Sequence, residues 1–201
     1  LVHGTFVDTV STFGKLWTQH ADVVGNLFAH YGGRVYALDH PTLTASPIAN
    51  ALTLVDALPD GARLHLLTHS RGGMVAEVLA RACSGMPSAD ELALFDGEGY
   101  GQHRQDLQAL AAAAAKKGLK VERMLRVACP ARGTLLASRR LDAYLSVLKW
   151  GLELAGLPVV PELVDFLNAV AQRRTEPAEL PGLEAMTPDS PVVQWLNAGG
   201  E

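Results

Sequence analysis

LHLLTHSRGG, Leu64 to Gly73, joins an apolar run to a serine and two glycines. Arg63–His69 reads as a strand. Met74–Cys83 reads as a helix, with Val75, Val78 and Leu79 on one face. A strand turning this sharply into a helix would project the Ser70 hydroxyl above the end of a sheet. Gly72 and Gly73 provide the small residues needed where strand and helix approach closely. Thr68 stands where such turns usually carry glycine, giving T-H-S-R-G in place of G-x-S-x-G. The alternative reading of Ser70 is an ordinary N-cap for the helix that follows.

The same alternation extends outward. Leu1-Val2 reads as the end of a strand, and a helix is expected from Gly14 to Tyr31, stopped by Gly32-Gly33. "RVYALD", Arg34–Asp39, reads as a short strand, and Ser46-Pro47 as the cap and first residue of a helix reaching Leu58. The Gly-rich, acidic stretch Ser84–His103 is expected to leave the core. Gln105–Lys117 reads as a helix closed by Gly118, and Lys120–Cys129 as a further strand. Strands separated by helices predict an α/β fold, a mainly parallel sheet flanked by helices. Beyond Thr134 the pattern turns helical, with Leu141–Ala155 and Pro161–Arg173 as two helices and no strand between them.

Composition narrows the function classes. The chain has 201 residues, 48% of them hydrophobic and 19% charged, which is globular in character and about one domain in length. A net charge of -4, with no basic run longer than a pair, gives no pull toward nucleic acid. Two cysteines without a CxxC spacing, and histidines without HxH or HExxH, give no disulfide framework and no metal site. The apolar region Trp150–Val170 is broken by Glu153, Pro158, Pro161, Glu162 and Asp165, so a membrane span is not expected. No signal peptide is read. The chain opens at Leu1 rather than a methionine, so compartment stays open, with the cytoplasm favoured.

In open α/β sheets, ligands gather at the carboxyl ends of the strands. Three segments fall there: His3-Gly4-Thr5-Phe6, His69-Ser70-Arg71-Gly72-Gly73 and Pro130-Ala131-Arg132-Gly133-Thr134. The Arg71 amide, at a helix N-terminus, is suited to stabilise an oxyanion, and Thr5 or Phe6 is the expected source of a second amide. His3, Gly4, His69, Gly72 and Gly73 form the supporting loops.

Taken together, "LVHGTF", "LLTHSRGG" and "VACPARGT" resemble the lipase-like α/β-hydrolases, and the final "LPGLEAMTPDSPVVQWLN" resembles the segment preceding their next core strand. The resemblance implies an α/β-hydrolase fold with Ser70 as nucleophile and Arg71 with Thr5/Phe6 as oxyanion hole. It implies a core over 1–133, with an excursion at 84–103, and a helical lid or cap over 134–180. It also implies a linker over 181–201 toward a missing core strand, hence an incomplete C-terminal core. Similar domains occur in large bacterial multidomain proteins, so other domains of a larger parent are expected partners. Pro130-Ala131-Arg132-Gly133 departs from the Pro-His-x-Gly of many lipases, at a histidine that is not the triad base.

The triad partners are harder to find. In this fold the chain order is serine, acid, histidine. Only His103 follows Ser70, and it lies in the acidic excursion. Asp96, Asp142, Asp165 and Asp189 have helical or loop settings, so the acid and base are expected beyond Glu201. The side chain of His69 is expected to point away from the hydroxyl. The apolar stripe Leu141, Tyr144, Leu145, Leu148 and Leu152 reads as core packing, as an acyl-pocket cap, or as a lid touching lipid transiently. The expectation is a serine hydrolase of carboxylic esters or acyl lipids, without cofactor or metal. The competing expectation is a non-catalytic binding or scaffolding module, and a peptidase or other acyl transferase stays open.

Overall fold

The computed structural model describes residues 1–134 and 179–198. Nearly all of the cap expected over 134–180, with both of its helices, lies outside the described residues.

The sheet is built around β1 (Arg63–His69), which pairs in parallel with β2 (Lys120–Val127) from Arg63 opposite Lys120 to His69 opposite Val127. Two shorter lanes extend it. Val2 bridges Thr68 on one side and Leu38 on the other, both in parallel. Val2 donates its N–H to the Leu67 carbonyl at 3.0 Å, and the His69 N–H donates to the Val2 carbonyl at 3.0 Å. The lanes therefore run Leu38, Val2, β1, β2 across the sheet. The chain leaves the Val2 lane toward Leu38 and returns on the opposite side to form β1. That reversal is the kind of switch point at which α/β sheets form a ligand crevice, here at the carboxyl ends of Val2 and β1.

The α/β expectation thus holds only coarsely, as a small parallel sheet with helices packed against it. The strand expected at Arg34–Asp39 shrinks to the single bridge at Leu38. Its only ladder partner is the Leu1-Val2 lane, too short to extend pairing, and Tyr36 is left 70% exposed.

Helices α3 (Pro47–Ala57), α4 (Gly72–Ser84) and α6 (Gly101–Lys117) pack on one another against the sheet. Ile48, Val55, Val75, Leu79, Leu107 and Leu110 are fully buried there, each worth about 1.5–3 kcal/mol of apolar transfer. Ser46 caps α3 by accepting from the Ala49 amide, with Pro47 at the first helical position. Gly118 ends α6 in the left-handed region, φ 63°. On β2, Arg126 reaches Glu77 of α4, whereas Leu125 and Val127, on the opposite face of the strand, are exposed.

Three segments differ from expectation. The single helix expected over Gly14–Tyr31 is two, α1 (Thr9–Gln19) and α2 (Ala21–His30), which meet at non-helical His20. α1 starts earlier because Asp8 and Ser11 form a reciprocal capping box. The excursion at 84–103 holds a short helix, α5 (Ala89–Ala93), and returns to the core: Leu92 within the helix and Phe95 just after it are buried. The stretch expected as a linker is instead packed in. It forms α7 (Pro181–Glu184) and α8 (Pro191–Asn197), and buries Leu183, Ala185, Val192 and Trp195 in the core. Apolar side chains on both short helices outweigh the loop character of Pro188 and Asp189 between them.

Candidate active site

Ser70 sits where β1 gives way to α4, and its backbone is left-handed, φ 52°. Its N–H donates to the Val127 carbonyl at 2.9 Å, and its carbonyl accepts from the Gly73 amide at 3.0 Å. Among the described residues only Phe6, Ser70 and Ala128 are non-glycine residues with positive φ. They follow, in turn, the Val2 lane, β1 and β2. Strain of this kind gathers at functional sites and persists where surrounding structure holds it.

The glycines show how tightly the turn is packed. A methyl on Gly72 would lie 2.6 Å from the His3 carbonyl oxygen and closer still to that of Val2. One on Gly73 would lie 2.6 Å from the Cys129 Cβ and closer still to its Sγ. Thr68 is tolerated in the usual glycine position for a visible reason. Fully buried, it donates its hydroxyl to the Leu125 carbonyl at 3.1 Å and lies 3.5 Å from the Cys129 Sγ. The side chain completes a bond across the sheet, and Gly73 gives up the space.

The first loop comes close to the serine. A Cβ built on Gly4 would stand 2.8 Å from the Ser70 Cβ, 3.3 Å from its Oγ and 3.2 Å from the His69 Nδ1. His69 therefore flanks the same spot as the hydroxyl, instead of pointing clear of it, and its buried Nδ1 has no hydrogen-bond partner. His3 is buried behind the loop. Its Nε2 accepts from the His40 amide at 3.2 Å, which leaves Nδ1 to donate to the Gly4 carbonyl at 2.9 Å. The His3 and His40 rings stack at 4.1 Å.

The two expected sources of a second amide differ. Phe6 donates its amide to the Thr42 hydroxyl at 3.2 Å. No described residue accepts from the amides of Thr5 or Arg71.

Arg71 carries more than its amide. Its side chain is fully buried, with Nε donating to the Gly182 carbonyl at 3.2 Å and Nη2 to the Ala45 carbonyl at 2.6 Å. Burial pushes its pKa down to about 9, which leaves it cationic at neutral pH. Burial and the neighbouring guanidinium together lower His40 to about 4.

Sequence reasoning missed Thr42 and the α7 segment. Thr5 donates its hydroxyl to the Met186 Sδ at 3.6 Å, and the Thr134 amide donates to the Met186 carbonyl at 2.8 Å. The Pro-Gly of Pro181-Gly182 was the one available signal, since a Cβ on Gly182 would lie 2.8 Å from the Leu43 carbonyl oxygen and closer to that of Thr42.

No described histidine or carboxylate hydrogen-bonds the Ser70 hydroxyl. His103, the only histidine in the right chain order, is buried in α6 with both ring nitrogens unpartnered. Its ring packs edge-on to Tyr100 at 5.6 Å, and burial lowers its pKa. Tyr100 in turn donates to the Glu184 Oε1 at 2.6 Å. Among the described residues no three His, Cys, Asp or Glu side chains are grouped to hold a metal ion. No described helix is long and apolar enough to cross a membrane.

No curated protein and no solved structure matches the chain. A family model matches it over residues 1–95 and 103–201, leaving out only residues 96–102, which run into the first turn of α6. With that match spanning the parallel lanes, the Ser70 turn and the α7 segment, the chain belongs to the family described as a domain of unknown function, DUF7379.

Proposed function

We propose that this chain is a serine hydrolase domain of the lipase-like α/β-hydrolase type, acting on carboxylic esters or acyl lipids. The observation that carries the reading is the left-handed Ser70 at the crevice of the sheet, with Gly4 packed against its side chain. In this mechanism the Ser70 Oγ attacks the ester carbonyl carbon and gives its proton to a general base. The tetrahedral oxyanion is held by the Arg71 and Thr5 amides. Collapse breaks the acyl–oxygen bond, the alcohol leaves with the proton, and water then hydrolyses the acyl-enzyme. The reading requires a base and an acid from outside the described residues.

That no described histidine or carboxylate hydrogen-bonds the Ser70 hydroxyl favours a second reading, a non-catalytic module that uses the same crevice for binding. One experiment separates the two. The folded full-length protein is treated with a fluorophosphonate and the adduct is mapped by mass spectrometry. Labelling at Ser70 that disappears in Ser70→Ala supports the hydrolase. Folded protein with no adduct at Ser70 overturns it in favour of the module.

A further inference from the structure

The Arg71 guanidinium is an unusual group to find behind a turn of this kind. It is fully buried, and its described hydrogen-bond partners are two main-chain carbonyls, with no carboxylate among them. A buried cation is costly unless its hydrogen bonds are well made. This one joins parts of the chain far apart in sequence. Ala45 immediately precedes the cap of α3, and Gly182 lies in α7.

Those two segments also touch each other and the first loop. The Gly182 amide donates to the Leu43 carbonyl at 2.9 Å, and Thr42 accepts from the Phe6 amide. Thr5 leans on Met186. Residues 5–6, 42–43 and 182–186 thus form one closed ring of contacts, and the guanidinium ties two of its sides together at Ala45 and Gly182. Of the titratable groups, His40 lies close enough to feel the guanidinium, and His40 in turn stacks on His3, which pairs with Asp39. Asp39 is exposed and its Oδ1 accepts the Thr9 amide.

We propose that the Arg71 side chain is a positioning residue, which locks the 42–45 loop and α7 behind the turn and so fixes the Thr5 and Arg71 amides at the site of the oxyanion. The inference rests on the hydrolase reading and deepens it. Assembly of the oxyanion site then depends on docking of the α7 segment, although α7 contributes no amide to it.

The test uses the full-length protein with Arg71→Met, Arg71→Lys and Gly182→Ala. Fluorophosphonate inactivation is resolved into its maximal rate and its half-saturation constant, and amide hydrogen exchange is followed at Phe6 and Gly182. Losing one oxyanion donor typically lowers turnover ~100- to 1,000-fold. Arg71→Met is therefore expected to lower the maximal rate by about that factor, with half-saturation within about threefold. Exchange at Phe6 and Gly182 should quicken in the same variant. Arg71→Lys, which keeps a cation able to reach one carbonyl, should recover about tenfold of the rate. Gly182→Ala, which displaces α7 and leaves the guanidinium, should reproduce the slow rate. A folded Arg71→Met protein inactivated at the wild-type rate overturns the inference, as does Gly182→Ala with faster exchange and an unchanged rate. If the wild type takes no label while Arg71→Met still loosens Phe6 and Gly182, the hydrolase reading fails and the lock remains as a structural contact only, without the positioning role.

Discussion

At the scale of single residues, the crevice is defined by what has no side chain. Gly4 faces Ser70 so closely that one added methyl would meet the Ser70 Cβ at 2.8 Å. Gly4→Ala should therefore displace the first loop, reducing fluorophosphonate labelling by at least about tenfold and destabilising the fold by about 1–3 kcal/mol. Labelling kinetics and a urea unfolding curve on the same preparation check both figures. Equal loss of stability without loss of labelling would place the glycine in the packing alone. Ser70, Gly72 and Gly73 were legible in sequence because a turn between strand and helix needs these residue types at these offsets. Thr68 was legible only as a departure. Its justification, a hydroxyl bonded to the Leu125 carbonyl of the neighbouring strand, depends on a partner 57 residues away. The guanidinium of Arg71 was invisible for the same reason, since its acceptors at Ala45 and Gly182 have no local pattern.

At the scale of elements, local signals fared best where the element is closed by its own residues. Ser46-Pro47 opens α3 and Gly118 closes α6, as the sequence indicates. The start of α1 was hidden because its capping box pairs Asp8 with Ser11, where the familiar pattern has Ser or Thr followed by Glu. That cap offers a direct check. Asp8→Ala removes the acceptor for the Ser11 amide and should cost about 1 kcal/mol. Phe13 is the only buried residue of α1, so the loss should appear as faster amide exchange in the first turn of α1 and leave α4 and α6 protected. The strand expected over Arg34–Asp39 carries the right residue types but has only a two-residue lane to pair with. Strand propensity alone does not supply a ladder partner.

At the scale of the whole molecule, burial of neutral histidines ties stability to pH. His40 is held down at about 4 by burial and by Arg71, and His103 is lowered by burial. Each unfolds to an ordinary histidine near 6.5, so below that pH the unfolded chain binds more protons than the folded one. Stability should fall as pH drops from about 6.5 toward 4 and level off once His40 is protonated in the fold as well. The slope approaches 1.4 kcal/mol per pH unit per group, or about 3 kcal/mol for His40 across that window. Urea midpoints between pH 7 and 4 measure it, and His40→Asn should flatten the curve by that amount. An unchanged slope would show that His40 titrates normally. The parallel lanes and their helical layer were readable from alternation of strand and helix. Docking of residues 181–198 was not, because Thr5 meets Met186 across 181 positions of chain and neither residue announces the other.

The left-handed backbone at Ser70 bears on how such a chain changes over generations. Glycine adopts that conformation freely, and serine holds it at a cost of about 1–3 kcal/mol. A lineage kept only for its fold would gain from exchanging Ser70 for glycine, and a lineage kept for its hydroxyl would forgo that gain at every opportunity. The angle of one peptide unit thus turns Ser70 into a gauge of what selection has been acting on in DUF7379: family members that bind without reacting should drift toward glycine at this position before any other part of the crevice decays.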